Sequence, residues 1–231
     1  FDKGARAWHY FWSGGSPGVI CVSGDSEFET FEELVEAARA NPDSISIAVS
    51  GIGKLWHLKA EMVDKYGDVP MKDSPYKGSA PAITALLSGE VDALSCSTGE
   101  AAGYIQSGDM RPLVITEDYS YEFDGYPKEV PAITDIFPEM AKHLPMSQGL
   151  CLLAPKDIPD EAFQTLGEAF DKVMASEEME EFIDQQEAVK IAMWGEAADK
   201  RAVEMERRFS WFAEELGVAK VSPAELGIEK P

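Results

Sequence analysis

The chain has 231 residues, 45% of them hydrophobic, which suffices for one large packed domain or two small ones, and no run of roughly eighteen apolar residues could cross a membrane as a helix. Its 20 Lys and Arg stand against 42 Asp and Glu, a formal net charge of −22 spread along the chain. That excludes nucleic acid and an anionic membrane surface as partners, since both require clustered cations.

In chain order, the opening "FDKGARAWHYFW" has no apolar h-region and no small-residue cleavage site, so it does not read as a signal peptide. Either the protein is cytosolic or a leader is absent from this stretch. The aromatics Trp8, Tyr10, Phe11 and Trp12 suit core or interface packing better than stacking on a ligand ring. Residues 19–23 predict a strand. Thr30 with Glu33 forms a capping box, and Phe31, Leu34, Val35 and Ala38 follow at helical spacing until Asn41-Pro42 stops the helix. A buried strand is expected at 45–49, a helix from about Gly53 to Tyr66 closed by Gly67, and a short strand at 69–72. Ser79 is expected to cap a helix that has Pro81 in its first turn and Gly89 past its end. A strand at 91–95, a helix stopped by Gly108 and a strand at 111–116 complete the alternation. The spacing fits only βαβ crossovers and predicts a parallel sheet covered by helices. Residues 117–147 are turn-rich, 149–154 reads as a strand, and helices are predicted over 159–175, 177–186 and 196–216.

Three cysteines, Cys21, Cys96 and Cys151, make no CxxC, which excludes a zinc ribbon or a thioredoxin-type motif. Cys21 and Cys151 lie in apolar runs and read as buried strand thiols; nothing in the spacing indicates a bridge between them.

A parallel sheet places its ligand outside the carboxyl ends of its strands, which singles out "SGIGK", "DSPYKGS" and "CSTGE". The first is no P-loop: Gly51-Ile52-Gly53-Lys54-Leu55 lacks the spacing and the Ser or Thr. It is no dinucleotide fingerprint either, because Trp56 stands where the third glycine belongs. His57 and Glu61 share a helix face but make half a zinc site at best, and His9 and His143 add no matching cluster, so no metal and no cofactor are expected. There is no GxSxG elbow, and a hydrolase using Ser50 and His57 would have to be assembled by free choice. What remains is an anion seat at helix N-termini. Gly51 and Gly53 admit close backbone approach, Ser50 adds a hydroxyl, and Lys54 adds charge. Tyr76, Lys77, Gly78 and Ser79 repeat the pattern, and Ser97 and Thr98 open a third helix. On pattern alone this seat stands level with a plainer reading, in which Lys54 and Lys77 are solvated surface lysines and the glycines merely turn the chain.

The segments "TFEELVEAARANPDSISIAVSGIGKLWHL", "PYKGSAPAITALLSGEVDAL", "IQSGDMRPLVIT", "VPAITDIFP" and "GLCLLAPKDIP", in this order, resemble the solute-binding proteins of tripartite tricarboxylate transporters, the TctC or Bug family. The resemblance implies an α/β fold, a two-lobed type II periplasmic-binding-protein clamshell with parallel-rich sheets flanked by helices. It places residues 24–146 in one lobe and residues 1–23 with 147–231 in the other, a lobe expected to be incomplete at its N-terminus. By the same resemblance the strands of Cys21 and Cys151 come near the hinge, which opens the question of a bridge. The implied function is non-enzymatic capture of a small organic acid, outside the cytoplasm, for membrane permease subunits, by a monomer. Ser50, Gly51, Ile52, Gly53, Lys54, His57, Tyr76, Lys77, Gly78, Ser79, Ser97 and Thr98 form its expected ligand-binding set. Lys54 departs from the small Ser or Thr usual in the family, and Trp56 is bulky beside it. The alternatives are the same clamshell as the sensing partner of a membrane kinase, a hydrolase, and a structural role in an assembly.

Overall fold

A computed structural model of the chain describes residues 4–231. It divides into two compact units. The larger comprises Pro17–Ser147 with Leu216–Val218, and the smaller comprises the chain up to Ser16 with Gln148–Glu215 and Ala219–Pro231.

The larger unit is a five-stranded sheet covered by helices. Its strands are β2 (Gly18–Ser23), β3 (Ser46–Val49), β4 (Lys72–Pro75), β5 (Ala93–Ser97) and β6 (Met110–Ile115), in the spatial order β4-β3-β5-β2-β6. β3 pairs in parallel with both β4 and β5, as the crossovers require. β2 lies between β5 and β6 and is antiparallel to both, so the sheet is mixed where the spacing predicted a parallel one. The chain enters this sheet through β2, which runs against the strands that the βαβ connections build. Because β2 hydrogen-bonds on both edges here, the division falls at Pro17, ahead of the boundary at residue 24 expected from the sequence.

The helices of this unit are α1 (Phe31–Ala40), α2 (Leu55–Gly67), α3 (Ser79–Leu87), α4 (Thr98–Ser107) and the single turn α5 (Ile133–Ile136). α1 starts at the predicted capping box: the Glu33 N–H donates to Thr30 Oγ1 (3.3 Å), and the Thr30 N–H donates to the Glu33 carboxylate (3.3 Å). Its apolar stripe, Phe31, Leu34, Val35 and Ala38, is buried. α2 ends on Asp68, which takes the left-handed conformation expected of Gly67. Gly67 answers to packing instead, because a Cβ there would stand 2.7 Å from the Phe137 ring. β4 begins three residues later than predicted. Val69 and Met71, whose hydrophobicity suggested the strand, are buried on the approach to it.

The smaller unit is an antiparallel three-stranded sheet, β7-β1-β8, made of β1 (Trp8–Ser16), β7 (Gln148–Pro155) and β8 (Val189–Trp194). The helices α6 (Asp160–Met174), α7 (Glu177–Gln185) and α8 (Glu196–Glu215) follow the predicted spans closely. The aromatic run proves to be a strand that packs on both faces. Phe11 joins Phe170, Met174 and Trp194, while its neighbour Trp12 packs with Ala198 and Ala202 of α8. All three cysteines are free thiols. Cys21 and Cys96 are diagonal neighbours on β2 and β5, Cys21 opposite Leu94 and Cys96 opposite Val19, and the hydrogen bond of the Cys96 thiol to Cys21, together with burial, pushes that thiol well up.

One buried ion pair ties α2 to the end of β6. Lys59 and Glu117 are both fully buried, with Nζ 3.0 Å from Oε1. Lys59 also donates to the Thr116 carbonyl, and Glu117 accepts from the Met146 N–H (3.2 Å) and the Ser147 hydroxyl (3.1 Å). Burial lowers the Lys59 pKa, and the Glu117 charge opposes that. Such pairs contribute little net stability when intact, but removing one partner strands a charge. Lys59→Met should therefore lower the free energy of unfolding by about 3–5 kcal/mol. The double change Lys59→Met with Glu117→Leu should recover most of the loss in denaturant titrations.

Candidate functional site

Parallel pairing of β3 with β4 and β5 sends three loops off the same edge of the larger unit's sheet. Val49 is opposite Pro75, and the Tyr76 N–H donates to the Val49 carbonyl (2.9 Å), so the loops after β3 and β4 leave side by side. The start of β2 and the end of β6 join them: the Thr98 N–H donates to the Pro17 carbonyl (3.0 Å), and the Thr116 N–H donates to the Gly18 carbonyl (2.8 Å).

The Ser50–Lys54 loop needs its glycines. Gly51 and Gly53 have φ of +132° and +73°, conformations that side chains rarely adopt. A Cβ on Gly51 would meet Lys54 Cε at 3.3 Å, so the lysine stem folds back over the loop. A Cβ on Gly53 would meet no atom within 4 Å. Lys54 is the N-cap of α2, and no side chain caps that helix. α3 repeats the arrangement one strand away. Its N-cap is Gly78 (φ +116°) rather than the expected Ser79, with open space beside it and again no side-chain cap. Two consecutive helices thus present uncapped N-termini, with first-turn N–H donors that no side chain serves and the positive end of each dipole.

Other expected residues are committed elsewhere. The Tyr76 phenol donates to Glu90 (2.8 Å), so Tyr76 borders the loops through its backbone. Ser97 caps α4 in a closed box with Glu100: its hydroxyl is 2.8 Å from the Glu100 carboxylate and accepts from the Glu100 N–H (3.2 Å). Ser97 and Thr98 are buried. Ile52 is largely exposed at the loop's tip, and Ser50 is buried at its base.

His57 is 2% exposed and has three partners. Its Nδ1 lies 3.2 Å from the Gly53 nitrogen and accepts that N–H. Its Nε2 lies 3.1 Å from Asp73 Oδ2 and 3.5 Å from Glu61 Oε1. Among the described residues these three side chains are the group whose ligand atoms lie close enough, within 4.8 Å of one another, for a cation. The chemistry disfavours one: with Nδ1 accepting from Gly53, the neutral ring carries its proton on Nε2, where a metal would need a lone pair. The proton serves Asp73 instead. The hydrogen bond to Asp73 raises the His57 pKa against its burial. Burial, with the Asp73 hydrogen bond and charge, pushes the Glu61 carboxyl up to about 7. Burial works against ionised Asp73, yet the hydrogen bonds from His57 and Glu61 hold it below its usual range. The i, i+4 spacing of His57 and Glu61 was visible in the sequence; Asp73 arrives only through the β3–β4 pairing, and no local signal announces it.

Residues 13–217 match the family described as "Tripartite tricarboxylate transporter family receptor". A Pseudomonas sp. (strain P51) relative, described as a UPF0065 protein in the tcbD-tcbE intergenic region, is 30% identical over 174 residues, covering 73% of this chain and 49% of that one. The chain thus spans about half the length of that relative. Among solved structures, an R. palustris protein with adipate superposes with a TM-score of 0.80 at 20% identity, over 92% of this chain and 70% of that one. MatC from Rhodopseudomonas palustris with bound malate gives a TM-score of 0.70 at 16% identity, over 90% and 69%. These likenesses establish the fold: α/β, with mixed sheets flanked by helices.

The proton cluster gives a stability prediction. Glu61 and His57 both hold a proton more tightly folded than unfolded, so their contribution is complete at low pH and is lost as pH rises. For Glu61 the loss runs from about 4.5 to about 7. Asp73 has the opposite sign and acts only below 3.8. The melting temperature should therefore fall between pH 5 and pH 8 (roughly the window of these shifts), and Glu61→Gln should flatten much of that slope in calorimetric scans.

Proposed function

The chain belongs to the tripartite tricarboxylate transporter receptor family, and from that premise we propose that it captures a small organic acid for the membrane permease subunits of such a transporter, outside the cytoplasm. The proposed seat for a carboxylate is the pair of loops Ser50–Lys54 and Tyr76–Ser79. One observation carries this reading: two neighbouring parallel strands each lead through a positive-φ glycine into a helix whose N-terminus no side chain caps. A carboxylate oxygen supplies the acceptor that such N–H groups lack, and the Lys54 ammonium provides a local positive charge in a chain of net −22.

The hydrolase alternative fares worse on this geometry. One ring nitrogen of His57 is held by Gly53 and the other by Asp73, which leaves none to take a proton from Ser50. Capture without chemistry is the better use of these residues.

The seat is tested by calorimetry with a panel of dicarboxylates that includes adipate and malate. Saturable binding of one or more acids is expected, and Lys54→Ala should weaken it by about 1.5–3 kcal/mol, the range for hydrogen bonds to charged groups. Unchanged affinity in that variant, or hydrolysis of a test ester that depends on Ser50, would overturn the reading.

A further inference from the structure

The Gly53 N–H lies in the loop that seats the proposed carboxylate, yet here it is spent on His57 Nδ1 at 3.2 Å. That bond depends on protonation. A neutral ring with its proton on Nε2 accepts at Nδ1; an imidazolium has N–H groups at both positions and cannot accept at all. The ring cannot swing aside, because it is 2% exposed and is held on its far side by Asp73 and Glu61. On protonation two donors, Gly53 N–H and His57 Nδ1–H, therefore face each other without an acceptor between them. A carboxylate oxygen arriving beside Gly53, whose Cβ side is open, would satisfy both as the two donors part from their 3.2 Å contact.

We propose that His57 is a proton-controlled positioning residue of the seat: neutral, it holds the Gly53 N–H; protonated, it frees that donor and adds its own, so that an organic acid binds together with a proton. This rests on the carboxylate reading of the loop. It makes Asp73, brought in by the β3–β4 pairing, and Glu61, one helical turn on, the residues that set where on the pH scale the seat turns on.

The surroundings support a charge change at this point. From β4 the ring faces Asp73, and on its own helix it faces Glu61, with Asp64 behind. β3 and β5, packed against α2, carry no charged side chain. Lys142 and His143, on the 3-10 turn that α2 also touches, lie at Tyr66, one helix end away. Lys59 on α2 is taken by Glu117. The hydrogen bond to Asp73 raises the His57 pKa above its ordinary value. The Glu61 carboxyl, at about 7, also removes negative charge from beside the seat as pH falls.

The coupling is read first without ligand. In 15N-labelled chain carrying Glu61→Gln, which removes the neighbouring carboxyl that titrates at about 7, the Gly53 amide resonance should move with pH at the His57 midpoint. The neutral ring should show its proton on Nε2. Asp73→Asn should lower that midpoint. His57→Asn, whose amide oxygen stands near the Nδ1 position and can accept from Gly53 but cannot be charged, should abolish it. In the unmodified chain, calorimetry with adipate in buffers of different ionisation heat should show proton uptake. Above the midpoint the affinity should fall by up to about tenfold per pH unit, the limit for one linked proton, and His57→Asn should remove the part of this dependence that His57 carries. A Gly53 amide indifferent to the His57 titration would overturn the proposal. So would a neutral ring protonated on Nδ1, or a response of His57 and Asp73 signals to added Zn²⁺ that marks a cation site. Adipate, malate and related acids failing to bind at every pH while Gly53 still follows His57 would contradict carboxylate capture and leave the proton control supported.

Discussion

In the larger unit, β3 is hydrogen-bonded in parallel on both sides, to β4 through the Val49–Pro75 register and to β5 through Ala48–Leu94. Parallel neighbours cannot be joined by hairpins, so each link must cross over through a helix, and each helix must begin at the same edge of the sheet. The helix starts at Leu55, Ser79 and Thr98 meet there for that reason. What separates them is capping. α4 closes its own N-terminus with Ser97 and Glu100, while α2 and α3 begin at Lys54 and Gly78 with no side chain to serve their donors. The seat is thus the part of a common edge that the fold leaves unsatisfied.

Electrostatics sharpen the contrast. A chain of net −22 repels small anions at long range, so an organic acid needs donors fixed in place at short range. Backbone N–H groups at a helix start are such donors, since their orientation is set by the helix and costs nothing to hold. Beneath them the sheet edge is stiffened by Lys59 and Glu117, a buried pair whose remaining hydrogen bonds go to Thr116, Met146 and Ser147. Beside them His57 links the Gly53 donor to two carboxyls of unequal acidity, so the number of donors on offer depends on pH.

How much of this was legible in the sequence follows the range of the interaction. α1, with its Thr30–Glu33 box and a stripe at helical spacing, is local and was read in full. β1 and β8 were missed because their evidence is pairing with distant strands. β1 carries Gly14 and Gly15 through a bulge, and its aromatics pack on both faces without the polar alternation that marks a half-buried strand. β4, "KDSP", contains no strong strand former and is held by its ladder to β3, so hydrophobicity pointed to the residues just before it. Strand direction was equally hidden: β2 reads as a buried strand either way, and only its partners show it to be antiparallel. At the site, the glycines and Lys54 were visible as types at a strand-to-helix junction. The commitment of Tyr76 to Glu90 and the place of Asp73 beside His57 depend on contacts that the sequence does not display.

The central claim is that the uncapped starts of α2 and α3 are where a carboxylate sits. The most direct measurement is an amide chemical-shift map of the labelled chain titrated with an acid that it binds. The account predicts saturable shifts concentrated at Gly51–His57 and Gly78–Ala80, with the Ser97–Glu100 box little changed. Shifts confined to the smaller unit, or centred on α4 with Gly53 and Gly78 unmoved, would contradict it.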